Sequence, residues 1–448
     1  MFVFMAPFTL RRTVLAGLAA AALGAAASAA AEPLDLPGAV RAAVQSHPGV
    51  RGARQSLLSA SEGVEAAKAG YKPQVKGGIE NQNNLHQASG YGSRHVFTAK
   101  LTVSQMLYDF GKVDGAVRKA ESVAQAGAAQ VQVATDDIAL STAQAWVDAH
   151  LQQAQVQIAQ EQLDGVKAIA KLVGERADKG ATTRSDVEQA RSRVQAAQSQ
   201  WLGTKAEAQR AALALMHLTG RTAPVEIAGP VPAVLVDASG AGACQGGADL
   251  DSPAVRLADA RRAQAQADLD VASAQRKPTI SLDGSVGQAL TKGSRLYGER
   301  TSAQIGFSAD MPLYEGGGLE ARERAAAYQL QAYEDAAAQA RLEMRQGFAD
   351  AQAQVEGWAS RAPALASRVA SIRETRDLYR QQYLQMGTRS LLDLLNAEQE
   401  FHSARADQAQ GEHTQYRVAV QCLYYSDRLR SAFGLDDAAG GATAGAAK

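Results

Sequence analysis

Apolar and polar residues alternate strictly in two places along the chain. In "HVFTAKLTVSQMLY", Phe97, Ala99, Leu101 and Val103 alternate with Thr98, Lys100, Thr102 and Ser104. In "TSAQIGFSADMPLY", Ala303, Ile305, Phe307 and Ala309 alternate with Ser302, Gln304, Gly306 and Ser308. Period two describes a strand with one apolar and one polar face. Each strand follows a run that opens on a proline, "PQVKGGIENQNNL" from Pro73 and "PTISLDGSVGQAL" from Pro278, across a polar loop; the second loop carries Lys292, Arg295 and Arg300. The pattern predicts two β-hairpins, at about 73–108 and 278–314.

Elsewhere the apolar spacing is helical. Residues 38–70 read as a helix with Ala39, Val40, Ala43 and Val44 on one face and a kink at Pro48. Residues 111–178 contain no proline and predict one helix of about 68 residues, ~100 Å long. A shorter return helix covers 183–220. The same order recurs over 252–277, 317–386 and 389–434, with a kink expected at Pro363. In each copy the two short helices together nearly match the long one, about 71 residues against 68 and about 72 against 70. Stacked end to end, two short helices would run beside one long helix, with the joins midway and the Gly/Ala/Pro-rich segment 221–251 as a belt.

The chain is thus one unit of helix, hairpin, long helix and helix written twice. Gly180, Asp186 and Ala190 precede Gly387, Asp393 and Ala397 by about 207 positions. Pro48 with Pro253, Pro73 with Pro278 and Tyr108 with Tyr314 repeat at nearly that spacing. The organisation reads as a first repeat over 30–220, an insertion over 221–251 and a second repeat over 252–435. At the reversals "ADKGATTRSDVEQ" and "YLQMGTRSLLDLLNAEQE", Gly180 and Gly387 end the outgoing helices. Thr183 with Asp186 and Ser390 with Asp393 then match the capping-box pattern.

Composition narrows the function. Net charge is zero, aromatic content is 5% and Ala and Gln abound, which excludes a basic nucleic-acid surface and favours long helices packed through small side chains. Arg11 and Arg12, the apolar run after them and Ala27-Ser28-Ala29 form an export signal over 1–29, secretory or twin-arginine. Past Ala31 no apolar run reaches the ~20 residues of a spanning helix, so any membrane crossing falls to strands. Cys244 and Cys422 either pair in the oxidising compartment or stay as buried thiols. Neither they nor the seven histidines show metal-ligand spacing. Residues 316–318 open a helix without a phosphate-binding Lys-Ser/Thr, and no nucleophile elbow is present, so neither an enzyme nor a cofactor is expected. Residues 436–448 read as a disordered tail.

Four strands cannot close a membrane barrel, and an open edge cannot face lipid. The barrel must be shared: two chains supply about eight strands, three about twelve, and only the larger leaves a lumen. Strands of roughly 12 residues span ~40 Å, enough to cross a bilayer at a tilt, with Tyr108 and Tyr314 as interfacial aromatics. A periplasmic coiled-coil scaffold or adaptor without a pore shares the helices but gives no reason for the hairpins.

The order of elements, "LYDFGK" and "PLYEGGG" where strands enter long helices, Pro73 and Pro278, and "GTRSLLDLLNAE" at the second reversal resemble the TolC family of outer-membrane efflux and type I secretion channels. The resemblance covers essentially the whole mature chain. It implies a homotrimer with a 12-stranded β-barrel in outer-membrane lipid, continued by a periplasmic α-helical barrel. The tube would dock a periplasmic adaptor joined to an inner-membrane ABC or proton-driven transporter. It also implies that the reversals form the periplasmic entrance. Asp393 matches an acidic position of its ring, Asn396 stands where a second aspartate occurs in the best-known members, and Arg389 resembles an arginine that holds the entrance closed. Asp186 is the first-repeat counterpart of Asp393. Tyr383 lies near, but one position out of register with, the family's aromatic latch. Capping and a charged ring are compatible roles for one aspartate.

Overall fold

A computed structural model describes residues 34–83, 95–291 and 300–435, apart from 224, 226, 228, 241–243, 245–246 and 249–250. The expected export signal, Lys292, Arg295 and the expected tail lie outside them. In chain order the elements are α1 (Leu36–Ser46), α2 (Pro48–Lys68), β1 (Gln74–Asn83), β2 (His95–Tyr108), α3 (Lys112–Asp178), α4 (Arg184–Thr219), α5 (Ala233–Ser239) and α6 (Pro253–Ala274). There follow β3 (Thr279–Ala289), β4 (Thr301–Asp310), α7 (Gly318–Gln381), a π-helical turn (Gln382–Met386), α8 (Leu391–Tyr425) and α9 (Leu429–Phe433). The doubling is plain in the lengths: α2 and α6 have 21 and 22 residues, α4 and α8 have 36 and 35.

Three expectations need correction. The helix read over 38–70 is two helices, because Pro48 draws His47 into extended backbone (φ −67°, ψ 129°) and takes the first position of α2. The return helix read to residue 434 stops at Tyr425, where Asp427 adopts a left-handed φ of 53° and the chain folds back as α9. α7 is helical on both sides of Pro363. Tyr314 lies beyond the end of β4, so it is not the strand-end counterpart of Tyr108.

The two shortened helices leave room at mid-height, and a hydrophobic core fills it. There Ala139, Ala143, Trp146 and Val147 of α3 meet Leu36, Val40 and Val44 of α1, with Leu215, Leu235, Val420, Leu429 and Phe433 closing round them. Trp146 is fully buried and donates its indole N–H to the Leu34 carbonyl at 3.0 Å. The insertion is fastened to this belt. The Ser239 carbonyl accepts from Gln415 at 2.5 Å, and Cys244 is disulfide-bonded to Cys422 with Cα atoms 5.8 Å apart. Arg430 of α9 reaches buried Asp136 of α3 at 2.9 Å and Asp427 at 2.6 Å, which holds the C-terminal turn in place.

The columns have a definite order. α2 and α4 lie along one side of α3, α6 and α8 along the other, and α7 packs beyond α6 and α8. The sheet has the matching order β1-β2-β3-β4, antiparallel throughout. Its register aligns Val75, Val103, Gly284 and Ile305 in one row, and Gly77, Leu101, Val286 and Ala303 in the next. Because directly paired residues share a face, these rows lay an apolar band across all four strands, with Gln105 and Gln288 in the rows that flank it. Nothing among the described residues covers it: Ile79, Ile305 and Phe307 are 70%, 77% and 78% exposed. The opposite face is polar, with Asp283 accepting from the hydroxyls of Ser104 and Ser308 at 2.6 and 2.5 Å. Among the described residues no helix is long and apolar enough to cross a membrane.

Beneath Trp146, a histidine pair joins α3 to α8. His413 Nδ1 lies 2.7 Å from the Ala409 carbonyl and so carries the proton; its Nε2 then accepts from His150 Nδ1 at 2.7 Å. Burial pushes both imidazoles below their usual 6.5; His413 adds to the effect on His150, while Ala409, Glu412 and Asp148 oppose it on His413. A base whose pKa is depressed by folding contributes its full stability above the unfolded value, near 6.5. That stability is lost as pH falls from there towards the folded value. Acidification from about pH 7.5 to 5 is therefore expected to lower the thermal midpoint a few degrees more in the wild type than in His413→Gln. Equal pH slopes in the two proteins would show that the pair does not respond.

Candidate functional site

The two reversals lie side by side at the end of the helices far from the sheet. They are built by the same local chemistry. Gly180 (φ 69°) and Gly387 (φ 63°) take left-handed backbone that a side chain would strain. Three residues on, both return helices open with complete capping boxes, Thr183 with Asp186 and Ser390 with Asp393.

The two acidic caps differ in freedom. One Asp186 oxygen accepts from the Thr182 hydroxyl (2.6 Å), the Thr183 hydroxyl (2.9 Å) and the Thr183 amide (3.2 Å), and these donors hold the carboxyl below its usual range. Among the described residues Asp393 accepts only a long bond from the Ser390 amide, at 3.4 Å, while its own amide donates to the Ser390 hydroxyl at 3.1 Å. Of the two carboxylates, Asp393 has the more available charge. Asn396 is engaged sideways: its carbonyl accepts from Arg193 Nη2 at 3.2 Å, and Arg193 Nη1 donates to Gln399 at 2.8 Å, tying α4 to α8. Leu391, Leu394 and Leu395 pack against Val166, Ile169, Val173 and Ala190, a small core that joins the two helical hairpins.

Arg389 caps the second reversal from outside. Its guanidinium lies 4.4 Å from the Tyr379 ring centroid and its Nε donates to Gln382 at 3.0 Å. Tyr383 is buried, 6% exposed, and Arg176 of α3 reaches it twice. Arg176 Nη1 donates to the Tyr383 carbonyl at 3.1 Å, and its guanidinium lies 5.0 Å over the ring. The Tyr383 hydroxyl faces Thr182 of the first reversal. Arg176 and Arg193 belong to no motif in the sequence. Arg176 has a signal all the same: it is separated from Tyr383 by 207 positions, the repeat spacing itself. Equivalent stations of the two repeats therefore touch.

The structure brings Gly180, Asp186, Gly387, Arg389, Asp393 and Asn396 to one end of the molecule. Tyr108 and Tyr314 lie at the other end, where the sheet meets the long helices. Both are exposed, and Tyr108 packs edge-on to Phe110 with centroids 4.6 Å apart.

The family profile described as "Outer membrane efflux protein" matches residues 39–221 and 248–425. The outer membrane efflux protein BepC of Brucella suis biovar 1 is 24% identical over 407 residues, covering 88% of this chain and 85% of BepC. The proteases secretion protein PrtF of Dickeya chrysanthemi is 27% identical over 155 residues, 34% of this chain and 33% of PrtF. In structure the chain is similar to the outer membrane protein VceC of Vibrio cholerae. The TM-score is 0.74 at 19% identity, covering 89% of this chain and 96% of VceC.

Proposed function

Because the chain belongs to the outer membrane efflux protein family, we propose that three copies assemble into one conduit that carries cargo out through the outer membrane. One observation carries this reading. The free edges β1 and β4 and the outer columns, α2 with α4 on one side and α7 on the other, fall on the same two sides of the chain. A second copy joined head to tail would pair β4 with β1 and seat α7 against α2 and α4. Such heterologous contacts close into a ring. Three copies give twelve strands and a lumen, and the bare apolar face turns to lipid, with Tyr108 and Tyr314 at its inner rim. A pore-less coiled-coil scaffold or adaptor leaves that apolar face without a purpose.

The conduit is passive, its transport energised by an inner-membrane ABC or proton-driven transporter reached through a periplasmic adaptor. The helical reversals form its periplasmic entrance. Asp393, repeated three times round the axis, supplies the negative ring, because Asn396 is neutral and Asp186 is held in its cap. Gly180 and Gly387 make the turns, and Arg389 braces the closed entrance. In planar bilayers the purified protein is expected to form channels blocked by multivalent cations. Asp393→Asn should weaken that block about tenfold, equivalent to ~1.4 kcal/mol. A protein that never conducts would sink the conduit. Block unchanged in Asp393→Asn would place the ring elsewhere.

A further inference from the structure

The two long helices start and end on matched left-handed glycines, Gly111 and Gly180 in the first repeat and Gly317 and Gly387 in the second. Yet the spacing from Gly317 to Gly387 is one residue longer than that from Gly111 to Gly180. The first repeat reaches its glycine in ordinary α-helix through Asp178, while the second passes through the π-turn Gln382–Met386. A single π-turn is the form that one surplus residue takes inside an α-helix. Over the 64 residues of α7 the surplus could have been stored anywhere, and it sits against the tip.

Two arginines hold it there. Arg389 binds Gln382, the first residue of the turn, and stacks on Tyr379 one turn earlier. Arg176, on the other hairpin, holds the second residue, Tyr383, by its carbonyl and its ring together. Among the described residues Arg176 Nε is buried without a hydrogen-bond partner, so the closed arrangement leaves one donor of the clamp unused.

The geometry points to the π-turn as the hinge of the entrance, with Arg176 as the positioning residue that keeps it closed. The inference rests on the conduit reading above. When the ladder closes from i→i+5 to i→i+4, the surplus residue passes into the loop before Ser390. The helix end then advances one station, roughly 100° round its axis and 1.5 Å along it. Tyr383 cannot make that step and keep both contacts with one guanidinium. The first repeat has no surplus residue and no such turn, so only the second hairpin moves by this route.

Single-channel recording of the purified full-length protein tests the hinge. Arg176→Gln is expected to raise the mean conductance several-fold at an unchanged thermal midpoint, and Arg176→Lys to fall between, since it keeps the charge but not the planar fork. Deletion of the exposed Gln385 removes the surplus residue and should give the same open conductance. Adding Arg176→Gln to that deletion should then raise it no further. If wild-type channels form and Arg176→Gln conducts as they do, the hinge is wrong and the conduit stands. If the deletion variant does not fold, Arg176→Gln alone decides. A wild type that forms no channels overturns the conduit and the hinge with it.

Discussion

Phe307→Arg is expected to strip the protein from the outer membrane. The ring of Phe307 is 78% exposed in the single chain and lies in one row with Leu282 and Gln105, inside an apolar face that includes Ile305, Val286 and Leu101. A cation on the lipid face of a membrane strand costs ~2–4 kcal/mol near the bilayer midplane. In a ring of three copies the cost recurs in every subunit. Gln304→Lys makes the comparison fair, because Gln304 pairs with Ser285 on the polar face, where a charge meets water. Membrane fractionation with unheated gels should show assembled protein for the wild type and Gln304→Lys and little for Phe307→Arg. Assembly of Phe307→Arg at wild-type levels would mean that this face does not meet lipid.

The second large effect lies far from the membrane. Trp146→Ala is expected to cost ~3–5 kcal/mol by removing the largest fully buried side chain of the mid-height core. The loss is not only packing. Without the indole N–H the Leu34 carbonyl is left buried, and the stack on His150, with centroids 5.1 Å apart, disappears. Trp146→Phe separates the two contributions: it keeps most of the apolar volume and forfeits the hydrogen bond, a loss of ~1–3 kcal/mol. Denaturant unfolding of the three proteins would measure both steps. A Phe variant as unstable as the Ala variant would mean that the hydrogen bond, and not the packing, holds α1 against α3.

What could be read along the chain and what could not divides by range. The hairpins were legible because Phe97 to Val103 on β2 and Ala303 to Ala309 on β4 alternate with period two, a signal carried by adjacent residues. The long helices were legible because 111–178 contains no proline, and the reversals because Gly180 and Gly387 are followed three and six positions on by a hydroxyl and a carboxylate. Helix ends inside the belt were not legible. No glycine or proline marks the stop of α8 at Tyr425; the turn is closed by the Arg428 amide on the Leu423 carbonyl at 2.8 Å and held by Arg430, whose partner Asp136 is separated from it by 294 positions. At Pro363 the tertiary packing matters in the other direction, since α7 packs along α6 and α8 and stays helical through a residue that would weaken an isolated helix.

At the candidate entrance the grouping of the residues was legible from the two reversals, but their partners were not. Asp186 and Asp393 read identically in sequence, yet Thr182 adds a third donor to one and, among the described residues, nothing comparable meets the other. Arg176 carries no local mark, because a helical arginine four residues before a turn is ordinary until the repeat brings Tyr383 beneath it.

Local sequence is enough to establish that two copies of one helix-hairpin-helix unit exist, which strand faces are apolar and where the helices reverse, since each of these depends on residues within a few positions of one another. The order of the columns, the disulfide between Cys244 and Cys422, the freedom of Asp393 and the clamp on the π-turn came only with the packed fold. Those are set by contacts between residues far apart in the chain, chosen by which surfaces can be buried together, and local spacing has no record of that choice.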